Sequence, residues 1–276
     1  MRRFWPRRFL AIDMQDSHPL AQVTPLLLTY NEEENIARTL EPLRWARRIV
    51  VIDSGSTDRT LELIAAHGQV DVFHRPFDTF ANQCNFGLSH IPSGWVLSLD
   101  ADYLISPALK QEIAEAINLA ATQETEGFRI PFRYCIQGRP LRSTILPPRI
   151  ALFRIHAGVY EDDGHAHKLI LTGKCADLQQ PILHDDRKPL SRWLWAQNRY
   201  LKLEAEKLLQ TPNRQLSRAD RVRKNTVVAP FAVFFLCLFW HRSILDGWRG
   251  WFYSLQRLYA ETLLALMLLE ARLQRP

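Results

Sequence analysis

Two carboxylates one residue apart close an apolar stretch at GWVLSLDAD (94–102), and this spacing is the strongest chemical signal in the chain. Acids two positions apart at a strand end can face one ligand site while the buried strand holds them rigid. Asp100 and Asp102 placed in this way can hold a divalent cation. Such a cation neutralises the charge that grows on a diphosphate as its bond to a sugar breaks. The alternative is a solvated loop with two ordinary acids, and the WVLSL run ahead of the pair favours the strand end.

Asp53 ends a second apolar run, RIVVIDSG (48–55), and is followed by Ser-Gly-Ser-Thr-Asp58. A carboxylate there can accept hydrogen bonds from a base or a ribose, as an acid does in other nucleotide-binding α/β folds. Thr29, Tyr30, Asn31 and Glu33 follow the first run, VTPLLLTYN (23–31). They offer a hydroxyl, an aromatic surface and polar contacts suited to a base. Asp58 reads as a helix-end residue, and Glu32 and Glu34 as first-turn acids. His184 either completes a metal shell or is structural. His165 and His167 either touch phosphate or face water. Asp185-Asp186 has no strand-end setting comparable to 100–102 and reads as surface.

These residues need a frame that brings several strand ends together, and residues 23–118 provide the pattern for one. Ile36, Leu40 and Leu43 mark a helix after the first run. Ser56 is placed to cap the next helix, whose buried face is Leu61, Ile64 and Ala65. A weaker strand over 70–74, a helix over 79–90, the strand over 94–102 and a helix opened by Ser106-Pro107 complete the alternation. Strands alternating with helices imply parallel pairing and a Rossmann-like sheet, with ligands beyond the carboxyl ends of the strands. That is where TYN, DSGSTD and DAD fall. The shorter β-like runs between 127 and 186 read as an antiparallel lobe. Residues 191–209 read as a helix and 210–225 as a basic, polar linker.

TYNEEENI, IVVIDSGSTDRT and WVLSLDADY, in this order and spacing, resemble the family 2 glycosyltransferases of GT-A fold over residues 23–118. A looser similarity runs through NQCNFGL (82–88), HAHKL (165–169), ILH (182–184), NRY (198–200) and LDGWRG (245–250). It points to the bacterial branch related to lipopolysaccharide-core glucosyltransferases. The resemblance implies inversion, a nucleoside-diphosphate sugar donor (a UDP-sugar favoured) and Mg2+ or Mn2+. It assigns donor binding to Thr29, Tyr30, Asn31, Glu33 and Asp53, with Asn85 from NQCNFGL added to them. Asp102 becomes the direct metal ligand, with Asp100 nearer the ribose or a metal-bound water. Inversion needs a general base, which the family supplies from the second half of the catalytic domain. The dense acidic candidate is Glu161-Asp162-Asp163, of which Asp163 and then Asp162 are favoured, against the reading as a solvated acidic turn. Two departures stand out: His165-Ala166-His167-Lys168 where a His-Glu pair is the pattern, and Tyr103 where the pattern has an acid after D-A-D.

The expected organisation is an N-terminal extension (1–22), a catalytic domain (23–190, divided at 118/119 into donor and acceptor halves) and a helical, membrane-associating region (191–276). The fold class is α/β, a mostly parallel GT-A sheet with a small antiparallel lobe. Hydrophobic residues make up 47% of the chain and exclude disorder; the net charge of +6 suits anionic partners. The four cysteines form no C-x-x-C pair, so free thiols are expected. The opening MRRFWPRRFLAIDM has no apolar run of signal-peptide length, which places the catalytic part in the cytoplasm. Val227 to Trp240 has no charged side chain, yet as a helix it would span only about 21 Å, and Pro230 interrupts it. Arg257 and Glu261 are costly at a bilayer centre. The expectation is therefore a peripheral or monotopic enzyme on the cytoplasmic face of the inner membrane, near a glycan or lipid-linked acceptor.

Several rivals belong beside this reading. A nucleotidyltransferase would need a glycine- and lysine- or arginine-rich phosphate loop, which LLLTYNEEEN lacks. The missing G-x-G-x-x-G disfavours a nicotinamide cofactor. A polyisoprenyl-phosphate glycosyltransferase and a non-catalytic membrane-associated module of the same fold remain alternatives. No nucleic-acid partner is expected, because the basic residues cluster beside the apolar tail.

Overall fold

Runs of branched and aliphatic residues form the strands, and stripes of 3.6-residue period form the helices that cover them. The computed structural model describes residues 18–142, 145–163 and 166–274, apart from the side chains of Asp163, Ala166 and His167. The N-terminal extension up to residue 17 thus lies outside the described residues, as do Gly164 and His165. The first half runs β1 (Val23–Thr29), α1 (Ile36–Leu40), β2 (Ile49–Asp53), α2 (Thr60–Ala65), β3 (Val70–His74), α3 (Phe80–Leu88) and β4 (Trp95–Asp100). A two-residue β5 (Tyr103–Leu104) precedes α4 (Pro107–Gln123), which starts where Ser106 Oγ accepts the Leu109 amide at 3.1 Å. Then come β6 (Thr125–Ile130), β7 (Phe132–Ile136), β8 (Arg139–Pro140), β9 (Arg149–Arg154), β10 (Gly158–Asp163), β11 (Ala166–Leu171), β12 (Lys174–Asp177) and β13 (Ile182–His184). The tail holds α5 (Leu190–Gln210), α6 (Arg218–Arg223), α7 (Val228–Phe235) and α8 (Trp248–Leu273).

The central sheet has seven strands in the order β12-β6-β9-β4-β1-β2-β3. Strands β3, β2, β1 and β4 are parallel, and β9 enters antiparallel between β4 and β6. The expected antiparallel part is attached through the main sheet itself, since GFRI and RIALFR pair antiparallel there. What stands apart is the β10–β11 hairpin and a mixed sheet in the order β5-β13-β7-β8. The buried strands carry apolar side chains on both faces. Leu27, Val51 and Leu97 pack with Ile36, Ile64 and Leu109 of the helices on one side. Leu26, Ile52 and Val96 pack with Ala81, Cys84 and Tyr160 on the other. The parallel strands are therefore covered twice, as such a sheet requires. All four cysteines are free.

The tail is a packed helical layer. Residues 210–225 are no free linker, because Arg223 of α6 is clamped between Glu204 of α5 (2.7 Å) and Glu261 of α8 (3.1 Å). Pro230 falls in the first turn of α7, where a missing amide hydrogen costs nothing, so it opens the helix rather than interrupting it. A π-turn (Leu236–Trp240) and a 3-10 turn (Ser243–Asp246) then reverse the chain. The reversal is pinned by Ser243 Oγ donating to the Cys237 carbonyl at 2.8 Å, and by Gly250, where an added Cβ would collide with the Ser243 carbonyl oxygen. Gly250→Ala is expected to destabilise the chain by about 1–3 kcal/mol, the usual range for overpacking, read as a lowered midpoint in urea. An unchanged midpoint would mean that the turn is looser than this contact implies.

Candidate active site

The parallel register ends three neighbouring strands level. Thr29 lies opposite Asp53, and Leu28 opposite Asp100. Asp53 is fully buried and saturated: it accepts from the amides of Gly55 (2.9 Å) and Ser56 (3.0 Å), from Ser56 Oγ, and from Thr29 Oγ1 at 3.2 Å. Ser56 is thereby taken up in the turn and does not cap α2, which has no side-chain cap. The loops after β1 and β2 are zipped together. Asn31, in the left-handed region, accepts the Thr57 amide at 2.8 Å, and its own amide donates to Ser56 Oγ at 2.9 Å. Glu33 accepts the Arg59 amide and donates its own to Asp58, both at 3.2 Å. Asp58 also accepts from the Thr60 amide, the helix-start role expected of it. The donor candidates 29–33 and 53 therefore share one place. Tyr30 and Glu33 are the exposed members; Tyr30 is 41% exposed, with the Arg192 guanidinium 5.3 Å from its ring centroid.

Asp100 and Asp102 sit one strand over. Asp102 Oδ2 lies 3.1 Å from His184 Nε2, while Asp102 Oδ1 is buried with no hydrogen-bond partner. Burial alone would push the Asp102 carboxyl up; the adjacent imidazole, together with Lys188 and a backbone hydrogen bond, more than reverses this and holds it below the usual aspartate range. Likewise burial would lower the His184 imidazole, but Asp102 raises it. His184 is walled by Tyr103 (ring centroids 5.1 Å) and Tyr134 (4.6 Å). Tyr103, the departure from an acid at this position, is buried and hydrogen-bonds Asp100. An orphaned, ionised carboxylate oxygen beside a second carboxylate fits a hard divalent cation. His184 would then orient the ligand Asp102 from behind.

Behind the pair lies a latch that local sequence did not reveal. Asp185, read as surface, is 1% exposed. It accepts from Arg38 (2.8 Å), Arg187 (2.8 Å) and the Gly138 amide (2.9 Å), and its own amide donates to the Asp102 carbonyl at 3.0 Å. Asp186 accepts from Asn35 at 2.9 Å, and Lys188 meets Glu32 at 2.6 Å. Glu32 is thus half of a mostly buried ion pair, not a solvated first-turn acid. Burial would lower the Lys188 ammonium, yet Glu32, Asp186 and Asp102 together raise it, so it stays charged beside the D-A-D. The signal available in sequence was that Asp185-Asp186 directly follows the apolar pair Ile182-Leu183 and His184.

On the other side, Asn85 has both ends of its amide engaged. Its Oδ1 accepts the Tyr160 amide and its Nδ2 donates to the Tyr160 carbonyl, both at 2.9 Å. Asn85 therefore fastens the β10–β11 hairpin to α3. Tyr160 is buried, bonds Ser98 and lies near Asp100. Asp162 follows on the hairpin, exposed and opposite His167, and the backbone of Asp163 pairs with Ala166. Tyr200 of α5 is half-buried, close enough to Asp100 and Asp102 for both to raise its phenol further than desolvation does alone. From α8, Tyr253 packs tilted against Tyr134, ring centroids 5.1 Å apart, so an aromatic chain runs from the tail to His184 and Asp102. A wider groove of about 920 Å3 between α5 and α8 holds none of these residues.

The sequence model described as Glycosyl transferase family 2 matches residues 26–137. The chain is 24% identical over 239 residues to the lipopolysaccharide core biosynthesis glycosyltransferase LpsC of Rhizobium meliloti, covering 84% of each chain. It is 30% identical over 95 residues to an uncharacterized glycosyltransferase of Rickettsia typhi, covering 34% of this chain and 32% of that one. Among solved structures, the mannosyltransferase PcManGT of Pyrobaculum calidifontis in complex with GDP-Man and Mn2+ superimposes with a TM-score of 0.49 at 15% identity, over 92% of this chain and 87% of that one.

Proposed function

Since residues 26–137 carry the glycosyl transferase family 2 domain, we propose that the chain is an inverting glycosyltransferase that moves a sugar from a nucleoside-diphosphate donor to a cell-envelope acceptor. The observation that carries this reading is the orphaned Asp102 oxygen at a level row of strand ends, one strand from the Tyr30 loop. Tyr30 and the zipped loops at 31–33 and 53–58 receive the nucleotide. Asp102 and Asp100 would hold Mg2+ or Mn2+, which when bound neutralises charge on the departing diphosphate. Lys188 adds a fixed positive charge beside that pair. The resemblance to LpsC favours a lipopolysaccharide-core or related lipid-linked glycan as acceptor. A UDP-sugar is the favoured donor.

The base comes from the acidic end of the β10–β11 hairpin, which Asn85 and Tyr160 anchor to the donor half. Asp163 accepts the acceptor hydroxyl's proton as the sugar is attacked from the face opposite the diphosphate. Hydrolysis of a panel of UDP-, GDP- and TDP-sugars tests the donor class, and no turnover of any of them would count against the transferase. Asp163→Asn is expected to retain donor affinity by calorimetry while transfer collapses. The same pattern in Asp162→Asn moves the role by one residue. Full transfer in both variants would make the acidic turn mere surface.

A further inference from the structure

The outer side of the tail is apolar at helical spacing on two successive helices. Along α7 and its π-turn, Val227, Phe231, Phe235 and Phe239 recur every fourth residue and are each more than half exposed. Along α8, Trp248, Phe252, Leu255 and Tyr259 recur at spacings of four, three and four, at 88%, 40%, 51% and 45% exposure. Trp240, at 81%, and Leu245, at 60%, continue the face across the turn. Arg257 and Glu261, the charges that are costly at a bilayer centre, lie on the opposite stripe of α8 with Tyr253, Ser254, Ala260 and Leu264. Glu261 faces Arg223 there, and Arg257 acts on the buried phenol of Tyr134. Nothing charged therefore interrupts the outer stripe between Trp248 and Tyr259.

Arginine outnumbers acid along this stretch, and the neighbouring acid on α6, Asp220, lies 4.0 Å from Arg223. Between Val227 and Ala260 the single acid is Asp246, which accepts the Arg142 amide at 3.0 Å and lies 3.4 Å from its guanidinium. Arg242 at the turn is exposed, as are Arg218 and Arg221 on α6. An apolar face this large on a soluble chain calls for a partner. In a two-fold dimer of this chain the patch would meet itself and set its arginines against their copies. An anionic, apolar-cored surface meets both the charge and the aromatic side chains. Among the described residues no helix is long and apolar enough to cross a membrane, so contact would be from one side.

We infer that this face seats on an anionic lipid bilayer, with Trp240 and Trp248 at the headgroup boundary and the arginines among the phosphates. Phe252 also lines a cavity of about 180 Å3 whose other walls include Tyr134, Asp186, Lys188 and Trp193. The seated face is thus one side chain away from residues that flank the D-A-D, where a lipid-borne acceptor would arrive. The inference stands apart from the transferase reading, because binding to vesicles needs neither donor nor acceptor.

The test is co-sedimentation of the full chain with phosphatidylglycerol-rich vesicles and with phosphatidylcholine vesicles, each at low and high salt, alongside sedimentation velocity without lipid. The full chain is expected to pellet with the anionic vesicles and to stay partly bound in high salt. Trp240→Ser combined with Trp248→Ser is expected to weaken that partition roughly tenfold or more, without altering the melting curve, since both side chains lie almost wholly outside the fold. Absence of affinity for anionic vesicles would overturn the inference. So would a stable dimer in buffer that the double variant dissociates, because a second copy would then cover the face.

Discussion

Asp102→Asn is expected to lower sugar transfer by at least about a hundredfold, the loss seen when a charge aimed at a transition state is removed. Chelation by EDTA should do the same to the unaltered chain, with Mg2+ or Mn2+ restoring it. The expectation rests on the division of labour within one carboxylate. His184 holds Oδ2 at 3.1 Å and leaves Oδ1 buried and unpartnered. Asparagine keeps the shape, and its carbonyl can still face the imidazole, but it offers a cation no negative oxygen. The effect should therefore appear in turnover and metal affinity far more than in the melting curve. A fold defect would instead show as parallel losses of stability and donor binding. Full activity in Asp102→Asn, or turnover indifferent to EDTA, would remove the cation from this site.

The D-A-D pair and the loops at 29–33 and 53–58 were legible because each follows a long apolar run, and runs that alternate with helices end on one edge of a parallel sheet. That logic needs only local pattern. It fails where the site is completed from far along the chain. Strand β13 has three residues, too few to register as a strand, so the acids after it read as surface. Their partners are remote: Arg38 and Asp185 are 147 positions apart, and Lys188 and Glu32 are 156 apart. Asn85 lay in a stretch resembling a donor-binding family, but its amide is spent on Tyr160, an intermediate that no spacing rule supplies. The antiparallel strands were legible as such, but not the edge on which they join the central sheet. GFRI and RIALFR have the short alternation of an independent antiparallel unit, and only pairing of β9 with β4 reveals that they continue the main sheet. In the tail, Arg257 and Glu261 were counted as charges in an apolar stretch, whereas their phase along α8 puts them on the inner stripe.

Asp185→Ala is expected to destabilise the chain by about 3 kcal/mol and to loosen the donor site with it. Removing one partner of a buried ion pair usually costs about 3–5 kcal/mol, because the remaining charge is left without compensation. Here the aspartate is 1% exposed, but its partners Arg38 and Arg187 are 32% and 30% exposed, so both guanidiniums can regain some water. That places the cost at the lower end. The Gly138 amide also loses its 2.9 Å acceptor. The consequence should reach the chemistry through the backbone, since the Asp185 amide donates to the Asp102 carbonyl and Arg38 bridges to Asn35, which in turn holds Glu32 and Asp186. Urea titration should show a lower midpoint with an unchanged slope, and donor affinity should fall even under conditions where the variant is fully folded. Asp186→Ala is the comparison: its carboxylate holds the Asn35 side chain and the Lys188 amide, and its loss should cost less. If Asp185→Ala loses less than about 1 kcal/mol, the range of an exposed pair, then the latch is a surface contact and the 185–188 segment needs another anchor.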